Sequence, residues 1–192
     1  MKITCVLGSP RKKGNSATIA GSFARTAESL GAETETFLLN ELTFRGCQAC
    51  MACKGKLDRC ALHDGLTDVF ESMRSADIIV AATPVYSGYA SGQFKSFMDR
   101  CYSLLAPDYI TNPRPSRLPH GKKVVIITTQ GNPDPSLFED FVSRLQTWAK
   151  RNWGAEDVRS IKGYGLRAEG NIEPFLRQAE DLARSMVGQS SK

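Results

Sequence analysis

Short apolar runs and stretches with apolar residues at helical spacing take turns along this chain, and an alternation sustained that long leaves few architectures open. Residues 2–7 are an apolar run followed by Gly8-Ser9-Pro10; residues 15–30 then carry Ile19, Phe23 and Leu30 at helical spacing and close on Gly31. Residues 33–39 alternate as a second strand. Asp64 reads as the cap of a helix containing Leu66, Val69, Phe70 and Met73, and 77–82 as a buried strand. A helix over 91–105 carries Phe94, Phe97, Met98 and Tyr102. Residues 123–129 make a fourth strand, whose Val124-Val125-Ile126-Ile127 suits burial on both faces. Helices over 136–152 and 172–186, with a fifth strand inside 156–164, complete the succession. It predicts an α/β fold, one parallel sheet between two layers of helices, because parallel neighbours need a crossover and a helix supplies it. At 192 residues the chain reads as one domain over 1–192. Two segments exceed a minimal strand–helix connection: 45–63, which holds clustered cysteines, and 107–122, which holds four of the nine prolines.

Lys and Arg number 25 against 20 Asp and Glu, a net charge of +5 with no long basic block. That balance favours an anionic small molecule over nucleic acid as the partner. No apolar run approaches the roughly 18 residues of a membrane span, and 3–7 is too short for a signal-peptide core, so no membrane partner and a cytoplasmic location are expected. Of the six cysteines (Cys5, Cys47, Cys50, Cys53, Cys60 and Cys101), four fall between 47 and 60. In a reducing compartment such bunching points to metal ligation over disulfides.

In a doubly wound sheet, ligands bind beyond the carboxyl ends of the strands, and the first turn is the favoured phosphate site. Here it is Gly8-Ser9-Pro10-Arg11-Lys12-Lys13-Gly14-Asn15-Ser16. Hydroxyls at Ser9 and Ser16, an amide at Asn15, the Arg11 guanidinium and a helix N-terminus suit a phosphate monoester. The plainer reading is a turn with an Asn or Ser cap, which accounts for neither Arg11 nor the paired glycines. A Walker loop needs four residues between its glycines and then Lys-Ser or Lys-Thr, whereas five stand here and Asn15 follows; G-x-G-x-x-G is absent. Cys5 and Arg11 have the spacing of low-molecular-weight tyrosine phosphatases. Cys5, however, lies inside the strand, where a buried thiol is the better reading. Strand three then ends at Thr83-Pro84-Val85-Tyr86-Ser87-Gly88, with main-chain groups and a ring for a flat heterocycle, and strand four at Thr128-Thr129-Gln130-Gly131-Asn132.

Gly8-Ser9-Pro10-Arg11 with Gly14-Asn15-Ser16, then Thr83-Pro84-Val85-Tyr86 with Ser91-Gly92-Gln93-Phe94-Lys95-Ser96-Phe97-Met98-Asp99-Arg100, resembles the NADPH-dependent FMN reductase family of flavodoxin-like proteins over most of the chain. The resemblance implies a flavodoxin-like three-layer sandwich, its five-stranded parallel sheet ordered 2-1-3-4-5. It also implies FMN, with the phosphate at Ser9, Arg11, Asn15 and Ser16 and the isoalloxazine flanked by Pro84, Val85, Tyr86, Ser87, Gly88, Gln130 and Gly131. Asp99 and Arg100 read as structural, each pairing along or beside its helix.

Cys47-x2-Cys50-x2-Cys53-x6-Cys60 brings four thiols within reach of one metal centre. The spacing is similar to the compact motif of the iron-sulfur flavoproteins, a branch of the same family, and the resemblance implies a [4Fe-4S] cluster on Cys47, Cys50, Cys53 and Cys60. A thiol-rich loop without a cluster, or one that forms a disulfide on oxidation, remains open, as does zinc, although zinc sites usually pair two separated C-x-x-C elements. Met51 reads as packing, Cys101 as core, and His63 and His120 as cap-region and surface residues rather than ligands.

The expected function is that of an FMN-binding oxidoreductase, fed by NAD(P)H or ferredoxin and passing electrons to a small-molecule or protein acceptor. A homo-oligomer, dimer or tetramer, is expected. No side chain stands out as general acid or base, which fits chemistry carried by the cofactor. A non-enzymatic flavodoxin-type carrier is the alternative, opposed by the positive charge since flavodoxins are usually acidic; a phosphatase stands behind it.

Overall fold

A computed structural model of the chain describes residues 1–167 and 170–188. Its sheet comprises β1 (Lys2–Leu7), β2 (Glu33–Leu38), β3 (Ile78–Tyr86), β4 (Tyr89–Ala90), β5 (Lys122–Thr129) and β6 (Ala155–Gly163). The helices are α1 (Asn15–Ser29), α2 (Leu66–Ser75), α3 (Gly92–Arg100), α4 (Glu139–Trp153) and α5 (Glu173–Val187). The strands lie in the order β2-β1-β3-β5-β6, all parallel, with two-residue β4 folded back antiparallel on β3. With β4 set aside, this is the 2-1-3-4-5 order of a flavodoxin-like sheet.

Side-chain alternation explains the two helical layers. Ile3, Cys5 and Leu7 of β1, Ile78, Val80 and Ala82 of β3, and Val125 and Ile127 of β5 join one core with Ile19 and Phe23 of α1 and Phe175 and Ala179 of α5. The intervening Val6, Ile79, Ala81, Val124 and Ile126 join a second core with α2, α3 and α4. Both faces of the central strands are therefore apolar, as a parallel sheet requires. Edge strands β2 and β6 are richer in polar residues and partly exposed.

Three boundaries depart from the sequence expectation. β3 does not end at residue 82 but runs on to Tyr86, turns through Ser87 and Gly88 with φ of 47° and 78°, and returns as β4. Two successive positive φ values make the primed turn that suits a tight hairpin. Pro84 is tolerated because β1 stops pairing at Leu7–Ala82, so only β5 accompanies β3 at that point. The helix over 91–105 is instead α3 followed by a tighter 3-10 turn, Cys101–Leu104, whose neighbouring carbonyls at Tyr102 and Leu105 accept from the Lys54 ammonium. α4 starts at Glu139 and not at 136. Pro133 and Pro135 flank an Asp134 side-chain turn, which accepts from the Ser136 amide, and Phe138 sits left-handed at φ 68°.

Candidate functional site

The site starts from the turn between β1 and α1. The Gly8 amide donates to the Ala82 carbonyl at 2.8 Å, carrying the chain across to β3. Gly8 is obligatory there for space: a Cβ would stand 2.6 Å from Phe94 Cβ. Ser9 is buried, and its hydroxyl both donates to the Arg11 carbonyl at 3.0 Å and accepts from the Arg11 amide at 3.1 Å. Gly14 closes the turn, since a Cβ on it would meet Ser9 Oγ at 2.5 Å. α1 then begins without a side-chain cap and without an acidic residue in its first turn. The Ser16 hydroxyl, buried in that first turn, has no hydrogen-bond partner among the described residues. An uncapped helix N-terminus beside an unpartnered buried hydroxyl offers the donors that an anion would need. Arg11 is exposed and makes no ion pair among the described residues, so its guanidinium is free to reach a ligand. Asn15 opens α1 within the same turn, and its side-chain nitrogen donates to the Leu166 carbonyl at 3.0 Å, which ties the turn to the connection after β6.

Ser91 joins this turn to the next. It caps α3 by accepting from the Phe94 amide, donates to the Gly8 carbonyl at 2.5 Å, and its own amide donates to buried Thr83 at 3.1 Å. Pro84 is buried, Val85 half-buried, and Tyr86 and Ser87 are exposed beside half-buried Gly88 at the hairpin tip. Gln130 lies past the carboxyl end of β5, where its backbone bridges Gly163 and Leu166 and its side-chain nitrogen donates to the Asp134 carbonyl at 2.8 Å. Gly131 lies against the Arg167 side chain. The hairpin, the turn at Gly8–Asn15 and the connection at Gln130–Gly131 thus stand along one edge of the sheet.

The cysteine segment packs on the α2–α3 side. Cys47, Cys50, Cys53 and Cys60 all line one small pocket, together with Met51, Arg100 and Tyr102. Ala49 and Met51 are left-handed at φ 50° and 57°, folding the backbone tightly around that space. Met51 is 52% exposed, a correction to its reading as packing: the reversal at its own φ turns it out of the core. Cys47 and Cys50 are exposed, Cys53 is buried and Cys60 half-buried. Among the described residues no three Cys, His, Asp or Glu side chains converge on a point that one ion could occupy. Zinc needs four donors about 2.3 Å from one centre, whereas a cubane takes one thiolate at each of four irons and spreads them around a larger body. Four sulfurs around a shared pocket, with Lys54 and Arg100 beside it, are a donor set of the kind a [4Fe-4S] cluster takes, one thiolate to each iron.

Arg100 pairs beside its helix, as read, and what the sequence left unnamed is its partner. Asp99 pairs along its helix, with Lys95 at 2.6 Å, whereas Arg100 reaches across to Asp64 at 2.7 Å and is only 1% exposed. Asp64 itself lies before the N-cap residue Gly65 and accepts from the Leu66 amide at 3.1 Å. Burial pushes the Asp64 carboxyl up, but hydrogen bonds from Arg100 and from the Leu66 amide outweigh it and hold the group below the usual carboxylate range. Lys54 is a residue that the sequence reading missed. Its ammonium lies 3.7 Å from Cys53 Sγ and 4.0 Å from the Tyr102 ring centre, and burial, opposed by Cys53, lowers its affinity for a proton. The only signals available were its adjacency to Cys53 and, for Arg100, its place at the end of the second motif. Cys5 is buried in β1 and burial pushes its thiol up to about 12, so it is no nucleophile; Cys101 is likewise buried.

The chain is similar to several known proteins. An iron-sulfur flavoprotein of Methanosarcina thermophila is 40% identical over 104 residues, which are 54% of this chain and 54% of that protein. One from Archaeoglobus fulgidus is 37% identical over 107 residues, 56% of this chain and 54% of the relative, so the chain spans about half the length of these curated relatives. The fold is shared with an NAD(P)H:quinone oxidoreductase from Methanothermobacter marburgensis, TM-score 0.77 at 16% identity, covering 97% of this chain and 96% of that one. An FMN-dependent NADH-azoreductase from Bacillus anthracis, solved in complex with FMN, gives a TM-score of 0.67 at 15% identity with both chains covered at 100%. The model of one family, NADPH-dependent FMN reductase, matches residues 1–141, and the chain belongs to that family.

Proposed function

We propose that the chain binds FMN along the carboxyl edge of its sheet and works as a flavin-dependent oxidoreductase. The observation that carries this reading is the unpartnered, buried Ser16 hydroxyl at the uncapped N-terminus of α1, beside the free Arg11 guanidinium. Ser9 and Ser16 would hold the phosphate from inside the turn and Arg11 from outside, with Asn15 fixing the turn against Leu166. Pro84 to Gly88 and Gln130-Gly131 would flank the isoalloxazine, with main-chain groups at the hairpin and a flat apolar surface at Tyr86. Bound FMN would supply the two-electron and one-electron redox chemistry, and the protein's own part is position and electrostatics. FMN is favoured over FAD because this turn is built for a terminal phosphate and no glycine-rich pyrophosphate fingerprint accompanies it.

Cys47, Cys50, Cys53 and Cys60 would hold a [4Fe-4S] cluster, which exchanges single electrons. NAD(P)H or ferredoxin is the proposed donor, and a small molecule or protein the acceptor. The net charge of +5 weighs against a flavodoxin-type carrier. No helix among the described residues is long and apolar enough to cross a membrane. Six free cysteines suit a reducing, cytoplasmic setting.

The test is chemical. Protein prepared anaerobically is denatured to release its flavin, which is identified by chromatography, while iron and acid-labile sulfide are measured on the intact protein. FMN alone is expected in the first assay; recovery of FAD, or no flavin after reconstitution, sinks the FMN reading. Iron near zero after anaerobic reconstitution leaves a thiol loop on an FMN reductase.

A further inference from the structure

The cysteine segment has little apolar content to fold around, yet its two ends are fixed to α3 through one side chain. Arg100 is 1% exposed and all five of its N–H groups find acceptors. Nε donates to Cys60 Sγ at 3.2 Å. Nη1 donates to the Arg45 carbonyl at 2.8 Å and Asp64 Oδ2 at 2.7 Å, and Nη2 donates to Asp64 Oδ1 at 3.2 Å and the Leu62 carbonyl at 3.3 Å. Arg45 precedes the first cysteine and Leu62 follows the last. One guanidinium therefore closes the loop at both ends while pointing an N–H at one of its sulfurs.

A fork of five donors in one plane does this, and an ammonium, with three donors on a flexible stem, does not reproduce it. Asp64 neutralises most of the charge and keeps the plane of the guanidinium fixed. What remains is a directed, charge-assisted N–H at Cys60. Hydrogen bonds to the sulfurs and nearby net charge are what a protein uses to set the potential of an iron-sulfur centre.

We propose that Arg100 is the positioning residue of the cysteine centre, closing the segment from Arg45 to Asp64 around the four sulfurs and raising the centre's electron affinity through its N–H on Cys60. This rests on the iron-sulfur reading above. Asp64 acts in the opposite electrical sense: it orients Arg100 but places a negative charge on the same network.

The experiment compares wild type, R100K, R100Q and D64N, each reconstituted anaerobically with iron and sulfide, by iron content, FMN content and redox titration followed by electron spin resonance. FMN content reports the fold, since the phosphate turn meets α3 at its other end. The expected result is a midpoint potential shifted negative in R100Q, less so in R100K, and positive in D64N. A strut with no electrical role would lower cluster loading in all three and leave the potential of the loaded fraction where it was, and that result overturns the proposal. If R100Q takes up no iron, D64N decides: a potential that stays put or falls counts against the proposal. Wild type that takes up no iron removes the iron-sulfur reading itself, an outcome distinct from a loaded wild type with unshifted variants.

Discussion

Ser16 permits a test in which two measurements should move in opposite directions. Its hydroxyl is buried with no partner, a cost of order 1 kcal/mol in the empty protein that a phosphate oxygen would relieve. Ser16→Ala should leave the stability of the FMN-free protein unchanged or raised, while FMN affinity falls about two- to twelvefold, the equivalent of one ordinary hydrogen bond. Calorimetry of binding and urea unfolding of the same variant read both numbers; a fall in both would mark Ser16 as structural only. Arg11→Ala should weaken FMN more, about tenfold to a hundredfold, because the bond lost is charge-assisted, and should leave riboflavin nearly unaffected. Cys5 gives a pH prediction. Its folded thiol is raised to about 12 by burial, so between about pH 9 and 12 the unfolded chain binds fewer protons than the folded one. Its stabilisation is fully present below about pH 9 and is lost as pH rises through that window, at up to about 1.4 kcal/mol per unit. Urea unfolding of Cys5→Ala between pH 8 and 11 should show a shallower decline than wild type.

At the scale of elements, the turn at Gly8 and helix α3 form one part. The amide and carbonyl of Gly8 bind β3 and Ser91, and Phe94 packs where a side chain on Gly8 would be. Gly8→Ala should therefore destabilise by about 1–3 kcal/mol through overpacking and weaken FMN together with it, both read from thermal melts with and without ligand. β1 and α1 were legible because apolar runs and helical spacing report local burial, and their ends fall within a residue of the sequence reading. The hairpin at Ser87-Gly88 was not, because Pro84 reads as a breaker unless one knows that β1 has already stopped pairing there. The turn at Gly8–Ser16 was read as a phosphate site from its residue types, but Asn15's tie to Leu166 spans 151 positions and leaves no local trace. Arg100 shows the same limit. Helical spacing relates a residue to its neighbours three and four positions away, whereas its partner Asp64 lies 36 positions back, in a segment with no period at all.

For the whole molecule, the question is what covers the apolar side chains left at the sheet's carboxyl edge and beside the cysteines. Tyr86, Tyr89, Leu137 and Tyr164 are exposed where β3, β5 and β6 give way to their connections, and Met51 is exposed next to exposed Cys47 and Cys50. A cofactor ring would cover part of the first group but none of the second if it lies between the hairpin and Gln130. We therefore expect a homodimer or larger closed assembly in which one protomer's cysteine segment is covered by its neighbour, an arrangement that point symmetry repeats at each site. Sedimentation at micromolar concentration should give an oligomer. Alkylation of metal-free protein separates this from an assembly formed through another face. Cys47 and Cys50 should react slowly at micromolar concentration and faster on dilution to where protomers separate, while buried Cys5 and Cys101 react only on unfolding. Equal rates for Cys47 and Cys50 at every dilution, with an oligomer present, would place the cysteine segment outside the interface.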